Sequence, residues 1–176
     1  IVRPDGTVVW SHDRTLPSHS GAGQRIAGIA ADVTLHKRVA ARMAAQRSVA
    51  EILTRSQPVD DCISQVLQAL VEALGWDFAA LWQQEPRSDV LQLAQSAHAP
   101  QARCEALERA SRDLTFRKGD GLPGVAWTER RSIWATNLLE EPRFLRTAAA
   151  VEDGLRSACL SPILVDGELV GYIEMF

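Results

Sequence analysis

Cysteine and histidine are the side chains best suited to chemistry, and their spacing in this chain argues against it. The three cysteines, Cys62, Cys104 and Cys159, lie far apart. They lack the Cys-x-x-Cys or His-x-x-x-His spacing of a redox pair or metal site. They are expected to be reduced and structural. Of the four histidines, His98 has no serine, carboxylate or cysteine beside it that would make it a recognisable base. His12, His19 and His36 lie outside the His-Glu-x-x-Arg context of a phospho-accepting helix. The run Gly119-Asp120-Gly121-Leu122-Pro123-Gly124 lacks the Gly-Lys-Ser/Thr ending of a phosphate cradle, so its glycines are read as serving a turn and close backbone approach. No catalytic residue and no metal ligand is assigned.

A binding site is the better reading, and its candidates cluster towards the C-terminus. Asp166-Gly167 between two apolar, alternating runs is a hairpin signal, because a type I′ turn needs positive φ at both central positions. A two-residue loop there sets Leu164 opposite Leu169, Pro162 opposite Gly171, Leu160 opposite Ile173 and Ala158 opposite Met175, an apolar face. The other face then pairs Ile163 with Val170, Ser161 with Tyr172, Cys159 with Glu174 and Ser157 with Phe176. Small residues, a phenol and a carboxylate beneath tryptophan-bearing loops suit a pocket with a few convergent polar groups. The candidate ligand-binding set is Phe116, Trp127, Trp134, Ser157, Cys159, Ser161, Tyr172 and Glu174. Trp127, Trp134 and Phe144 fit either a pocket lid or plain core.

The elements that would position these residues follow from the pattern upstream. Residues 1–10 read as strand, Pro-Asp-Gly turn and strand. A break at 18–23 separates 13–16 from 25–31, which gives a small antiparallel meander of three or four strands. Such a meander buries little apolar area alone and needs a partner surface. Asp32 or Thr34 can cap the helix that follows by accepting a backbone N–H bond. From Leu35 to Gln57 the chain lacks Gly and Pro and is rich in Ala, Arg, Gln and Glu, which predicts one long helix. Two heptad seams compete along it, one through Leu35, Val39, Arg42, Gln46, Val49 and Leu53, the other through His36, Val39, Met43, Gln46, Ala50 and Leu53. Both are too polar for a stable isolated coiled coil and suit a parallel dimer linker whose registers lie close in energy.

Pro58 breaks that helix. Residues 59–74 resume with Ile63, Val66, Leu67, Leu70, Val71 and Leu74 on one stripe, and Gly75 closes it. Strands are predicted over 76–84 and 90–97, with Trp76 and Trp82 on one face. A helix follows over 101–113, a strand over 114–118, a short helix carrying Trp127, a strand over 132–136 carrying Trp134, and a helical turn over 144–153.

With 176 residues, 46% of them hydrophobic, and a formal net charge of -3, the composition is that of a globular chain of one or two domains. The basic cluster at His36-Lys37-Arg38 reads as a solvated helix face, so nucleic acid is not an expected partner. No apolar run approaches a membrane span and no signal peptide opens the chain, so this fragment is expected in the cytoplasm without membrane contact.

The runs GDGLPGVAWTERRSIWATNL and FLRTAAAVEDGLRSACLSPILVDGELVGYIEMF together resemble the second half of a GAF domain, the small-molecule-sensing module of bacterial signalling proteins. The resemblance extends upstream to about Ser48. The runs RPDGTVVWSHDRTLPS, GQRIAGIAADVT and LHKRVA resemble the C-terminal part of a PAS domain, with Asp32-Val33-Thr34 at its exit motif. Val33 stands there for Ile, and the N-terminal half of the PAS fold is absent from the sequence. The resemblance implies residues 1–34 as the C-terminal part of a PAS domain, 35–57 as a signalling linker helix whose end doubles as the first GAF helix, and 58–176 as a GAF domain lacking its last helix. The implied fold class is α+β, a central antiparallel sheet flanked by helices, with Asp32 and Thr34 at the signal relay.

The same resemblance argues against several ligands. Cyclic-nucleotide relatives carry Phe-x-x-x-Asp-Glu, whereas Phe144 is followed at that spacing by Ala148-Ala149. Bilin-binding relatives carry Cys-His, whereas Cys159 precedes Leu160. Haem would take His98 or Cys159 without supporting pattern, and the cofactor is unknown. An enzymatic relative, free methionine sulfoxide reductase, cycles cysteines clustered at one pocket, whereas these three are scattered. Motifs of kinase ATP lids and of cyclic-di-GMP synthesis or hydrolysis are missing from the sequence. The expected function is therefore a non-enzymatic sensory fragment of a sensor histidine kinase of a two-component system, or of a cyclic-di-GMP enzyme. Its partners would be an unknown small molecule, a second copy through the linker helix, and the parent's output domain. The alternative is a ligandless dimerisation module. An open cavity beside Tyr172 and Glu174 would favour the first, and a cleft filled by Trp127, Trp134 and Phe144 the second.

Overall fold

The computed structural model describes residues 1–2, 8–20, 23–85 and 87–176. The chain divides into two compact units, Ile1–Gln46 and Arg47–Phe176. In the first, β1 (Ser11–Ser20) and β2 (Gly23–Asp32) pair antiparallel in unbroken register from Ser11↔Asp32 to Ser20↔Gly23. A single bridge, Val2↔Val8, precedes them. Among the described residues the predicted meander is one long hairpin and one bridge. Its Pro-Asp-Gly turn lies outside the described residues.

Helix α1 (Thr34–Leu53) leaves β2 through a hydrogen-bonded corner. The Thr34 N–H donates to Asp32 Oδ1 at 2.9 Å, and the Trp10 N–H donates to Thr34 Oγ1 at 2.9 Å. Asp32 therefore caps the helix by accepting the first helical N–H, whereas the Thr34 hydroxyl ties the helix start to the segment before β1 and caps no helical N–H. Leu35, Val39, Met43 and Leu53 are exposed on α1. The helix stops four residues short of the predicted Gln57, and of that gap the ring of Pro58 accounts for Gln57 itself, whose helical backbone it disfavours.

In the second unit, α2 (Val59–Leu74) carries the predicted stripe and ends at Gly75, whose φ of 72° is the left-handed cap conformation. Six strands form one antiparallel sheet in the order β5-β4-β3-β8-β7-β6: β3 (Phe78–Glu85), β4 (Val90–His98), β5 (Thr115–Phe116), β6 (Ile133–Ala135), β7 (Ala158–Val165) and β8 (Glu168–Met175). Leu67 and Val71 of α2 cover one face, against Ala79, Leu81 and Ala99, with Ile163, Ile173 and Met175 packed alongside. The larger cluster lies on the opposite, inner face, under α3 (Glu105–Arg112), α4 (Gly121–Glu129) and α5 (Thr147–Glu152). This is an α+β fold with a curled antiparallel sheet flanked by helices.

The β7–β8 hairpin departs from the register its turn predicts. Val165↔Glu168 and Leu164↔Leu169 obey the two-residue loop, but the next pair is Ile163↔Gly171, followed by Pro162↔Tyr172, Ser161↔Ile173, Leu160↔Glu174 and Cys159↔Met175. One extra residue on β8, Val170, makes a β-bulge and reassigns every pair beyond it. Gly171 permits the close approach of β3 here, since a Cβ would lie 2.5 Å from the Trp82 carbonyl oxygen.

Candidate functional site

The inner face is built from alternate residues of all six strands, four of which supply the groups around its polar centre. Phe78, Ala80 and Trp82 of β3, Tyr172 and Glu174 of β8, Ala158 and Leu160 of β7, and Phe116 of β5 all turn inward, with Phe176 beyond β8. The register puts Glu174 across from Ala80 and Leu160, in the middle of the sheet. An isolated carboxylate there would be severely penalised by desolvation.

Its compensating partner is Arg146. The guanidinium Nη2 lies 2.7 Å from both Glu174 carboxylate oxygens, and the exposures of the two residues are 3% and 0%. Trp82 Nε1–H donates to Glu174 Oε2 at 2.7 Å, and Arg146 Nη1 donates to Ser111 Oγ at 2.8 Å. The Ser111 hydroxyl donates in turn to the Leu107 carbonyl. Four rings enclose the guanidinium: Phe144, Trp82, Phe176 and Phe116, at 5.1, 5.2, 5.6 and 5.8 Å from its carbon. Trp82 and Phe116 meet edge to face at 4.9 Å. Arg146 Nε is buried without a hydrogen-bond partner among the described residues.

Arg146 reaches this box from the position preceding α5, in the stretch between β6 and β7. That stretch is pinned at both ends, by Leu138 N–H to the Arg156 carbonyl and by the Asp153 carboxylate, which accepts from the N–H groups of Leu107 at 2.7 Å and Ala106 at 3.4 Å.

The sequence candidates divide. Phe116, Trp127, Tyr172 and Glu174 are brought together in the inner cluster and its walls. The Tyr172 hydroxyl donates to the Ala126 carbonyl of α4, and burial pushes its phenol pKa up. Cys159 and Ser161 are not part of this site. The bulge at Val170 pairs them with Met175 and Ile173 on the opposite face, so the expected partnerships with Glu174 and Tyr172 are overturned. Ser157 precedes β7 and is half-buried. Trp134 is also on the outer side, 67% exposed, with its ring 6.3 Å from Trp76. Trp76 therefore does not share the face of Trp82; it lies before β3 begins, so strand alternation does not govern it. The space in front of Glu174 is neither an open cavity nor filled by Trp134: Arg146, with Phe144, occupies it.

Trp82, Phe144 and Phe176 were legible as large apolar residues but not as a cage. Arg146 and Ser111 carried no pattern that marked them, since each comes from a separate helical segment and is joined to Glu174 only by the fold.

Cys104 and Cys159 are poorly placed for chemistry. All three cysteines are free. Burial, reinforced by the negative charges of Asp153 and Asp77, pushes the Cys104 thiol up to about 12, and burial raises Cys159. A nucleophilic cysteine needs the opposite shift. Among the described residues, no group of three or more His, Cys, Asp or Glu side chains is placed to hold a metal ion, and no helix is long and apolar enough to cross a membrane.

Residues 56–176 match the model of a family described as GAF domain. No curated protein matches the chain. Among solved structures, the GAF domain of Aquifex aeolicus nlh2 in an inactive state aligns with a TM-score of 0.63 at 20% identity, over 80% of each chain. The free methionine-R-sulfoxide reductase of Neisseria meningitidis, in complex with its substrate, aligns at 0.60 and 20% identity, over 79% of this chain and 74% of that one. The GAF domain of a phosphoenolpyruvate-protein phosphotransferase from Coxiella burnetii aligns at 0.61 and 17%, over 78% and 77%. At these identities the likeness shows the fold.

Proposed function

The chain belongs to the GAF domain family of sensory, ligand-binding modules, and from that premise we propose that residues 47–176 sense a small molecule through the inner face around Arg146 and Glu174. The observation that carries this reading is the buried ion pair itself. Two charges taken out of water cost several kcal/mol each before their attraction is counted, and well-packed hydrocarbon in their place is often neutral or better (roughly 0–4 kcal/mol). A core needed only for stability has no use for them, whereas a site that must recognise a polar ligand does.

The proposal extends to the rest of the chain. The first unit is the C-terminal part of a PAS domain, and α1 is a dimeric linker that relays ligand occupancy to an output domain of a cytoplasmic histidine kinase or cyclic-di-GMP enzyme. Supporting this are the β2–α1 corner at Asp32 and Thr34 and the exposed Leu35, Val39 and Met43 along α1. Thiol-based reduction of methionine sulfoxide is disfavoured by the raised pKa values of Cys104 and Cys159 and by their placement on opposite faces of the sheet. The reading we favour for these residues is a non-enzymatic one.

One observation favours the second reading, a ligandless module: the space before Glu174 is filled. Native mass spectrometry of the purified protein, combined with an absorbance spectrum, separates the two. A retained non-covalent mass lost in Glu174→Gln supports the sensor. An unliganded protein that no small-molecule panel stabilises supports the structural module.

A further inference from the structure

We propose that Arg146 is an internal occupant of the ligand site, holding the place of a small organic cation with a guanidinium or primary ammonium group. This rests on the sensory reading and names the ligand class. With the Arg146 side chain set aside, the box presents mainly electron-rich groups: the Glu174 carboxylate, the Ser111 hydroxyl oxygen, and the faces of Trp82, Phe116, Phe144 and Phe176. The Trp82 N–H is already committed to Glu174. A carboxylate inside aromatic walls is chemistry for a cation, because ring faces and anion attract the same charge and desolvation strengthens both. An anionic ligand entering the same space would meet Glu174 instead.

The internal cation fits its box imperfectly. Arg146 Nε is buried and unpartnered among the described residues, a cost that an unmade hydrogen bond to a charged donor makes substantial. A free guanidinium or ammonium ligand is not tethered to a backbone and can turn to satisfy its donors. Displacement also leaves the sheet intact. Arg146 belongs to the stretch between β6 and β7, outside every strand ladder, and that stretch keeps its anchors at Leu138 and Asp153. Exchanging one monovalent cation for another keeps the interior neutral while Arg146 moves to water. The empty state is thus a closed, self-occupied state, and the ligand competes with a side chain at high effective concentration.

Competition gives the test its form. When a site is available for only a fraction of the time, apparent affinity falls by that fraction. Methylguanidinium chloride and ethylammonium chloride, titrated into the 176-residue chain at constant ionic strength with tryptophan fluorescence and thermal denaturation as readouts, serve as probes. The wild type should show weak saturable binding. Arg146→Ala, which removes the competitor, should bind at least about tenfold tighter and regain thermal stability with probe. Should Arg146→Ala not fold alone, refolding with methylguanidinium but not with sodium chloride supports the proposal. Arg146→Ala/Glu174→Gln should bind neither probe.

Binding of sodium acetate by the wild type that Arg146→Ala abolishes would make the site an anion receptor and overturn the proposal. Absence of saturable cation binding in both wild type and Arg146→Ala would also overturn it. If a different ligand copurifies and depends on Glu174 while neither cation binds, the inference fails and the sensory reading stands. If nothing copurifies or binds, both fail.

Discussion

At the scale of single residues, the buried pair sets the strongest expectations. Glu174→Gln leaves the Arg146 guanidinium without a counter-charge and should destabilise the fold by about 3–5 kcal/mol in urea unfolding, as should Arg146→Met. The double variant Arg146→Met/Glu174→Leu should recover most of that loss, so the two single effects should be strongly non-additive. Additive losses would mean that the charges act independently. The cysteines give a second expectation. Cys104 holds its proton to about 12 in the folded protein against an ordinary value of 9.0. The folded state then binds more protons than the unfolded chain between those values, so the Cys104 contribution is full below pH 9.0 and is lost as pH rises towards 12. Urea midpoints measured across that range should fall less steeply in Cys104→Ala than in wild type. Glu174 was legible as a candidate because a carboxylate in an alternating strand is conspicuous. Arg146 was not, because 28 residues separate it from its partner and no periodicity links a strand to the residue preceding a short helix.

At the scale of elements, helices were read more faithfully than strand pairings. The α2 stripe and its Gly75 cap follow from local periodicity and backbone preference, and the structure bears out both. The hairpin turn at Asp166-Gly167 was equally local and correct, with φ of 51° and 80°. The pairings beyond it depend on where β8 lies against β3, a non-local constraint that no turn signal encodes, and one bulge therefore moved Cys159 and Ser161 away from the site. Gly171 marks this constraint. Gly171→Ala would press a Cβ to 2.5 Å from the Trp82 carbonyl oxygen, and Gly124→Ala would press one still harder against that of Arg117. Neither obstacle is a flexible side chain. Both substitutions should lower stability by well over the roughly 1 kcal/mol of an average replacement, as seen in thermal melts, whereas Leu164→Ala, half-exposed near the turn, should fall close to that average.

At the scale of the whole molecule, the proposed relay along α1 carries its own expectation. Cysteines placed at Val39, Arg42 or Met43 in the parent protein should cross-link in a pattern that changes with ligand, because the competing heptad seams bring different positions together. Monomers under every condition would count against a dimeric relay. The unpaired Val170 bears on the interior as a whole. Deleting it would leave Leu160 opposite Glu174, whereas a slip that closed the bulge by pairing Val170 with Ile163 would set Cys159 and Ser161 opposite Glu174 and Tyr172 in place of Leu160 and Pro162. Hydrocarbon would give way to a thiol and a hydroxyl beside Tyr172 and Glu174 without one amino acid being substituted. The bulge, as much as the composition of β7, thus decides which of its side chains line the interior.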